Sequence, residues 1–342
     1  MDNSVSIIGY GAYIPLYRIK KEEYEKVWGF FSGKIKEKSV IGYDEDVITM
    51  AVEAAQNAIK NSEIDKNKIS LIAVGSTSPP YTVKSMATEI AMALGIPLNI
   101  LLLDFTESEK AGTTALISGI EIIKSKGGYG LIIGSDAPRA KPGDNIEHVQ
   151  SAGAAAIIIG LEKNCIAEIT DYYTYNFEYI PERFKKDGST TFKDLDIAPY
   201  SNYAYNKAIN GSVKGLLNKI NMKIDDFNHI FIQGHDARQP TRVIPNIDKN
   251  KIYTEIINII GDCGAALTLL GLVGIFHYKA NKNDKILITS YASGAGSDAF
   301  AINMIRKQEK KEFVPTIEQY IERKEYIDYE KYLKFKQLIE LE

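Results

Sequence analysis

The chain has 342 residues, 45% hydrophobic and 25% charged, with 41 basic residues against 44 acidic ones and a net charge of −3. This balance excludes a basic nucleic-acid footprint, and the composition excludes a disordered chain. No apolar run reaches the roughly 18 residues of a membrane span. The opening "MDNSVSIIGYG" lacks a charged n-region ahead of a long apolar core, so no signal peptide is expected. Cys165 and Cys263 lie far apart, and His148, His229, His235 and His277 are scattered. A reduced, cytoplasmic protein without a metal site is expected from that pattern.

Taken in order, "SVSIIGYG" (4–11) reads as a strand. "DEDVITMAVEAAQNAIKNS" (44–62) reads as a helix with Val47, Met50, Ala51, Ala54, Ala55 and Ala58 on one face and acids at its start. "SLIAVGSTS" (70–78), "LNILLLDF" (98–105) and "GLIIGSDA" (130–137) are near-continuous apolar runs, the pattern of buried strands in an α/β sheet. "AGTTALISGIEIIKSK" (111–126) is a second, more apolar helix. The second half repeats the theme: "HIFIQGHD" (229–236) is a strand entering a turn. "GAALTLLGLVGIFHY" (264–278) is a helix apolar enough to be buried, and "DKILITSYASGAGSDAFAINM" (284–304) is strand, glycine turn and strand. The expected fold class is therefore α/β, with two similar halves, 1–163 and 164–342. Segment 170–202 breaks the pattern. It is rich in Tyr, Phe, Asp and Lys without a clear period, and is read as an ordered, irregular insertion over a cleft or as an interaction surface. The tail 313–340 reads as one or two amphipathic helices.

Five blocks carry a family resemblance in the right order: 9–29, "KAGTTAL" (110–116), "PGDNIEHVQSAGAAAIIIG" (142–160), "SYASGAGSDAF" (290–300) and "EYIDYEKYLKF" (325–335). Together they resemble the archaeal type of hydroxymethylglutaryl-CoA synthase, nearly end to end. The resemblance implies a thiolase-like fold, duplicated halves forming an αβαβα five-layer sandwich. It implies an acyltransferase of the mevalonate pathway and isoprenoid biosynthesis, with a tunnel for the pantetheine arm of an acyl-CoA. It also implies a homodimer or higher oligomer. Partners would be a thiolase, an active synthase paralogue or a zinc-ribbon/OB-fold bridging protein, with no nucleic acid and no membrane.

The resemblance also locates three catalytic positions, and this chain departs from the family at each. "TESEKAG" (106–112) places Glu109 where the family has its nucleophilic cysteine. "GSTSPPY" (75–81) places Thr77 at the general acid/base glutamate, and "IQGHDARQPTRV" (232–243) places Gln233 at the histidine. Asp262 replaces a family asparagine. His235 substitutes for the lost histidine if the strand slides by two residues, which preserves the side-chain face; otherwise it is a turn residue near the surface. Glu109 reads either as a base or as a cap of the helix that follows, within a charged cluster formed with Glu107 and Lys110. For substrate binding the resemblance points to Ser293, Gly294 and Gly296 as a glycine turn facing the thioester oxygen. It points to Arg238, and Arg242 beyond it, as contacts for CoA phosphate.

Neither cysteine replaces the nucleophile, and no cofactor is implied beyond coenzyme A or an acyl-CoA as ligand. Three readings stay open. One is a non-catalytic homologue (a pseudoenzyme) retained for acyl-CoA binding or assembly. Another is a diverged acyl-CoA enzyme of lyase, decarboxylase or hydrolase type, using Glu109 or His235 without an acyl-enzyme. The last is a genuine synthase.

Overall fold

The computed structural model describes residues 4–176, 183–195, 198–294 and 296–339. The first half contains β1 (Val5–Tyr13), α1 (Val47–Ser62), β2 (Ile69–Gly75), α2 (Met86–Leu94), β3 (Leu101–Phe105), α3 (Ala111–Lys126), β4 (Tyr129–Asp136) and β5 (Gly153–Gly160). The second contains β6 (Ala167–Tyr175), α4 (Ala198–Ile220), β7 (His229–Ile232), α5 (Leu267–Tyr278), β8 (Lys285–Thr289) and β9 (Ser297–Met304). These strands form one nine-stranded sheet in the order β7-β8-β9-β6-β1-β5-β4-β2-β3.

The order shows the repeat that weak internal identity hides. β2 runs parallel to β4, β4 antiparallel to β5 and β5 antiparallel to β1. β7, β8, β9 and β6 repeat that series: parallel, antiparallel, antiparallel. The halves join where β1 pairs with β6, from Val5 opposite Ile169 to Ile7 opposite Ala167.

Side-chain alternation then sets the layers. Along β5, Ala155, Ile157 and Ile159 pack in a central core with Leu116 of α3 and Leu267 of α5. Ala154, Ala156 and Ile158 face the opposite way, against Met50 and Ala54 of α1 and Ile90 of α2. In the second half Ile286 and Ile288 enter the central core, while Leu287 faces Ile209 and Leu216 of α4. The stack is therefore α1 and α2, a half-sheet, α3 and α5, a half-sheet, and α4. α5 is buried along Leu267–Phe276, as its uniform apolarity predicts. α1 starts on a capping box, with Asp46 accepting from the Thr49 amide and Thr49 accepting from the Asp46 amide.

The central helices meet closely at the turn that matters for function. A Cβ on Gly112, in the first turn of α3, would press into the Ala265 carbonyl oxygen, well inside van der Waals contact. Gly112→Ala is expected to destabilise the fold by about 1–3 kcal/mol through overpacking, measurable as a lower urea midpoint with an unchanged slope.

The segment 170–202 is more regular than its composition suggests. Residues up to Tyr175 complete β6, and α4 begins at Ala198. The Tyr175 ring packs over Gly211 and the Tyr173 ring over Gly215, one helical turn apart. Consecutive tyrosines obscured this alternation in the sequence. Between the two elements a short antiparallel hairpin pairs Arg183–Phe184 with Lys193–Asp194; residues 177–182, 196 and 197 lie outside the described residues.

The tail forms two short helices, Ile317–Glu322 and Tyr329–Phe335, packed back on the body. Tyr329 and Tyr332 stack there around Tyr24, beside the buried His148. Burial, aided by the nearby Lys38 charge, pushes the His148 pKa down from 6.5 to about 4. Its Nδ1 already accepts from the Ser32 amide at 2.9 Å, so a second proton breaks that bond. Between about 4 and 6.5 the unfolded chain binds a proton that the folded one does not. Stability is therefore expected to fall as pH drops through this window, by up to about 3 kcal/mol. Urea titrations should show that limb flattened in His148→Gln.

Candidate functional site

The loops at the ends of β2, β4, β7 and β8 converge with the start of α3. Asp136, the last residue of β4, is fully buried and organises this region. It accepts from the Thr77 hydroxyl at 2.7 Å, the Thr77 amide at 3.2 Å, the Ala265 amide at 2.9 Å and the Ser78 hydroxyl. Burial raises its pKa, and these donors oppose the rise. Thr77 is thus held as a donor to a structural carboxylate.

Gln233 follows β7 directly and its side chain is equally committed. Its Nε2 donates to the Gly264 carbonyl at 3.1 Å. Its Oε1 accepts from the Thr268 hydroxyl at 2.7 Å and the Tyr291 amide at 3.3 Å. Gln233 therefore serves the frame rather than the cleft.

His235 nevertheless enters the site, by the turn of the chain beyond the strand. Its Nδ1 lies 2.6 Å from Asp262 Oδ2. The carboxylate can only accept, so the proton sits on Nδ1 and Nε2 carries the lone pair. Burial works against the Asp262 charge. The His235 hydrogen bond and the Arg183 charge outweigh it and hold the carboxyl below its usual pKa. Asp262 also accepts from the Gly264 amide at 3.0 Å.

Glu109 is buried but caps nothing. The N-cap of α3 is Lys110, whose side chain makes no capping hydrogen bond. The Glu109 carboxylate instead pairs with Arg183, which the hairpin brings in from the second half. Glu109 Oε2 and the neighbouring Ser108 Oγ are buried without partners among the described residues. Arg183 Nε and Nη2 reach Asp194 Oδ2 at 3.1 and 3.0 Å, and Nη2 lies 3.2 Å from His235 Nε2, where the lone pair accepts. Burial disfavours the guanidinium charge, but Glu109, Asp194 and Asp262 outweigh it and hold its pKa above the ordinary arginine value. The cluster expected from Glu107, Glu109 and Lys110 does not form. Glu107 is exposed, and Lys110 pairs with Asp298 at 3.3 Å. Lys110 is drawn there because Asp298 is fully buried beside the first turn of α3, where Thr113 also donates to it at 2.7 Å. Sequence reasoning missed Arg183 altogether: a single arginine between Glu182 and Phe184 carries no pattern of its own.

A cleft of about 590 Å³ reaches this cluster, with Arg183, His235, Tyr205 and Tyr291 among its lining residues. Ser293 and Arg238 also line it. Arg238 is held by its neighbour Asp236, with Nε and Nη2 at 3.1 and 2.7 Å from Oδ2. Arg242 sits exposed on the short helix Pro240–Val243 and does not join the cleft lining. Gly294 and Gly296 both take positive φ, as a tight turn requires. The Gly296 amide is not turned to the cleft: it donates to the Ala292 carbonyl at 3.1 Å. Ala295 lies outside the described residues. The thiols are remote in chemistry: Cys165 and Cys263 are buried, and burial pushes Cys263 up to about 12. Among the described residues no acidic, histidine or cysteine group of three or more is placed to hold a metal, and no helix is long and apolar enough to cross a membrane.

Duplicated half-sheets, paired central helices and a cleft ending at the start of the first of them define a protein of the thiolase-like fold class. Solved structures agree on that fold. An HMG-CoA synthase complexed with CoA aligns at TM-score 0.85 and 20% identity, covering 96% of this chain and 89% of that one. The 3-oxoacyl-[acyl-carrier-protein] synthase III of Aquifex aeolicus aligns at 0.77 and 19%, covering 87% and 99%. Sequence relatives are closer. The hydroxymethylglutaryl-CoA synthase of Methanopyrus kandleri is 35% identical over 351 aligned positions, 97% of each chain. That of Pyrococcus furiosus is 36% identical over 345, covering 96% of this chain and 95% of its own. No family model matches the chain. On these relatives, the chain belongs to the hydroxymethylglutaryl-CoA synthase family.

Proposed function

We propose that this family member binds coenzyme A and has lost the acyl-enzyme step, serving as a non-catalytic homologue. One observation carries the reading: the position the resemblance gives to the nucleophile holds Glu109, neutralised by a buried arginine. An ion-paired carboxylate beside Arg183 is a poor replacement for a thiolate. The other two positions support it, since Thr77 and Gln233 spend their polar atoms on the frame. Support for the ligand comes from the cleft and from neighbours of the same fold, one complexed with CoA and another, MvaS, with 3-hydroxy-3-methylglutaryl coenzyme A. An assembly role would be exercised in a homodimer, or with a thiolase, an active synthase paralogue or a zinc-ribbon/OB-fold bridging protein.

The His235–Asp262 pair favours a second reading. A histidine oriented by a buried carboxylate at the floor of a cleft is the arrangement of a general base. That would make the protein an acyl-CoA enzyme without a covalent intermediate.

The test is incubation with acetyl-CoA and acetoacetyl-CoA, followed by intact mass and free-thiol release. No acetylated protein and no hydroxymethylglutaryl-CoA are expected. Acetylated protein with product formation would establish a genuine synthase of the mevalonate pathway and overturn both readings. Thiol release without acetylation would favour the second.

A further inference from the structure

The cleft ends on charge. Arg183 and His235 line it, whereas Glu109 lies behind them and contributes nothing to the wall. We infer that Arg183 makes this cleft selective for a thiol over a thioester, so that it takes coenzyme A with its pantetheine thiol free and turns acylated forms away. This rests on the coenzyme A reading above and names which form of that ligand the site accepts.

The argument is one of space and solvation. An acyl group carried toward the start of α3 would need the volume in front of residue 109. The Arg183 side chain occupies it, only 6% exposed. Arg183 is not a loose cover. Its Nε, Nη1 and Nη2 are all engaged, by Asp194, Glu109 and His235. The hairpin behind it is pinned in turn, because the Phe192 amide donates to the Arg139 carbonyl at 2.8 Å. Swinging Arg183 aside would strand Glu109, whose second oxygen already lacks a donor among the described residues. An acyl chain arriving at this floor would bury apolar carbon against a guanidinium and an imidazole, displacing water without supplying a hydrogen bond. A thiol ends at the sulfur. It needs no acyl volume, and it brings no further apolar carbon against the charged floor.

Calorimetric titrations with coenzyme A, acetyl-CoA and butyryl-CoA test this. Arg183→Met alone risks misfolding, so the comparison uses Arg183→Met/Glu109→Gln, which removes both charges of the pair. The wild type is expected to bind coenzyme A about tenfold or more tightly than acetyl-CoA, a difference of ~1.4 kcal/mol, and butyryl-CoA more weakly still. The double variant is expected to bring coenzyme A and acetyl-CoA within about twofold of each other. Equal wild-type affinities, or an undiminished preference in the double variant, would overturn the inference and leave coenzyme A binding intact. If the wild type binds none of the three, the ligand reading itself falls, and this inference with it. The wild-type titration stands alone as a test should the variant not fold.

Discussion

Arg183→Met is expected to destabilise the protein by about 3–5 kcal/mol, the usual result of removing one partner from a buried ion pair. The loss comes less from the missing attraction than from what stays behind. Glu109 and Asp194 would keep their carboxylates next to a neutral thioether, with little water to solvate them. Glu109→Gln alone is expected to cost less, because Asp194 still compensates the guanidinium. In the double variant most of the Arg183→Met penalty should return. The coupling between the two sites in a double-mutant cycle, read from urea unfolding, should exceed about 1 kcal/mol. Additive effects would mean that the pair does not share a buried environment.

Asp136→Asn should be at least as damaging, by about 3–5 kcal/mol, and for a different reason. The shape is conserved, but an acceptor oxygen becomes a donor amide. Thr77, Ser78 and Ala265 aim donors at the carboxylate, and the two through Thr77 and the one from Ala265 converge on a single oxygen, Oδ2. Whichever way the amide turns, buried donors face a donor or go unpaired, at about 1–3 kcal/mol each. The 262–266 loop is anchored by the same carboxylate, so the change should also release Asp262 and the orientation of His235. Histidine proton resonances report this without any assay: the His235 signal should shift in Asp136→Asn and the distant His229 signal should not. A His235 environment left unchanged would show that the loop is held by other contacts.

Most of the fold was legible because its signals are local. Apolar runs closed by glycine marked β2 and β4, and unbroken apolarity marked α5 as buried. β5 lay inside a block recognised by resemblance but not assigned as a strand, since "GAAAIIIG" fits a buried helix as well. The tyrosines of β6 were misread because both faces of the strand are aromatic. One side stacks on Phe300, the other on glycines of α4. For the site, the structure brings Glu109, Thr77, Gln233 and Asp262, the positions the resemblance picks out, into one connected hydrogen-bonded region. His235 was tied to a two-residue strand slip; in the structure it lies on the turn after Gln233, paired with Asp262. Arg183 was beyond reach of sequence patterning: its partner is 74 positions away, and the contact depends on how a hairpin folds back across the layers.

The hairpin that carries Arg183 stands outside the nine-stranded sheet, as a separate two-stranded ladder. Closing the site therefore required no change in strand order, helix packing or the join between halves. The block in front of residue 109 is a handful of side chains delivered from the periphery and tied to the core through the buried Arg183–Glu109 pair. The block is thus separate in strand pairing but not in energy: withdrawing it from the hairpin alone leaves a buried carboxylate at residue 109, so hairpin and core must change together.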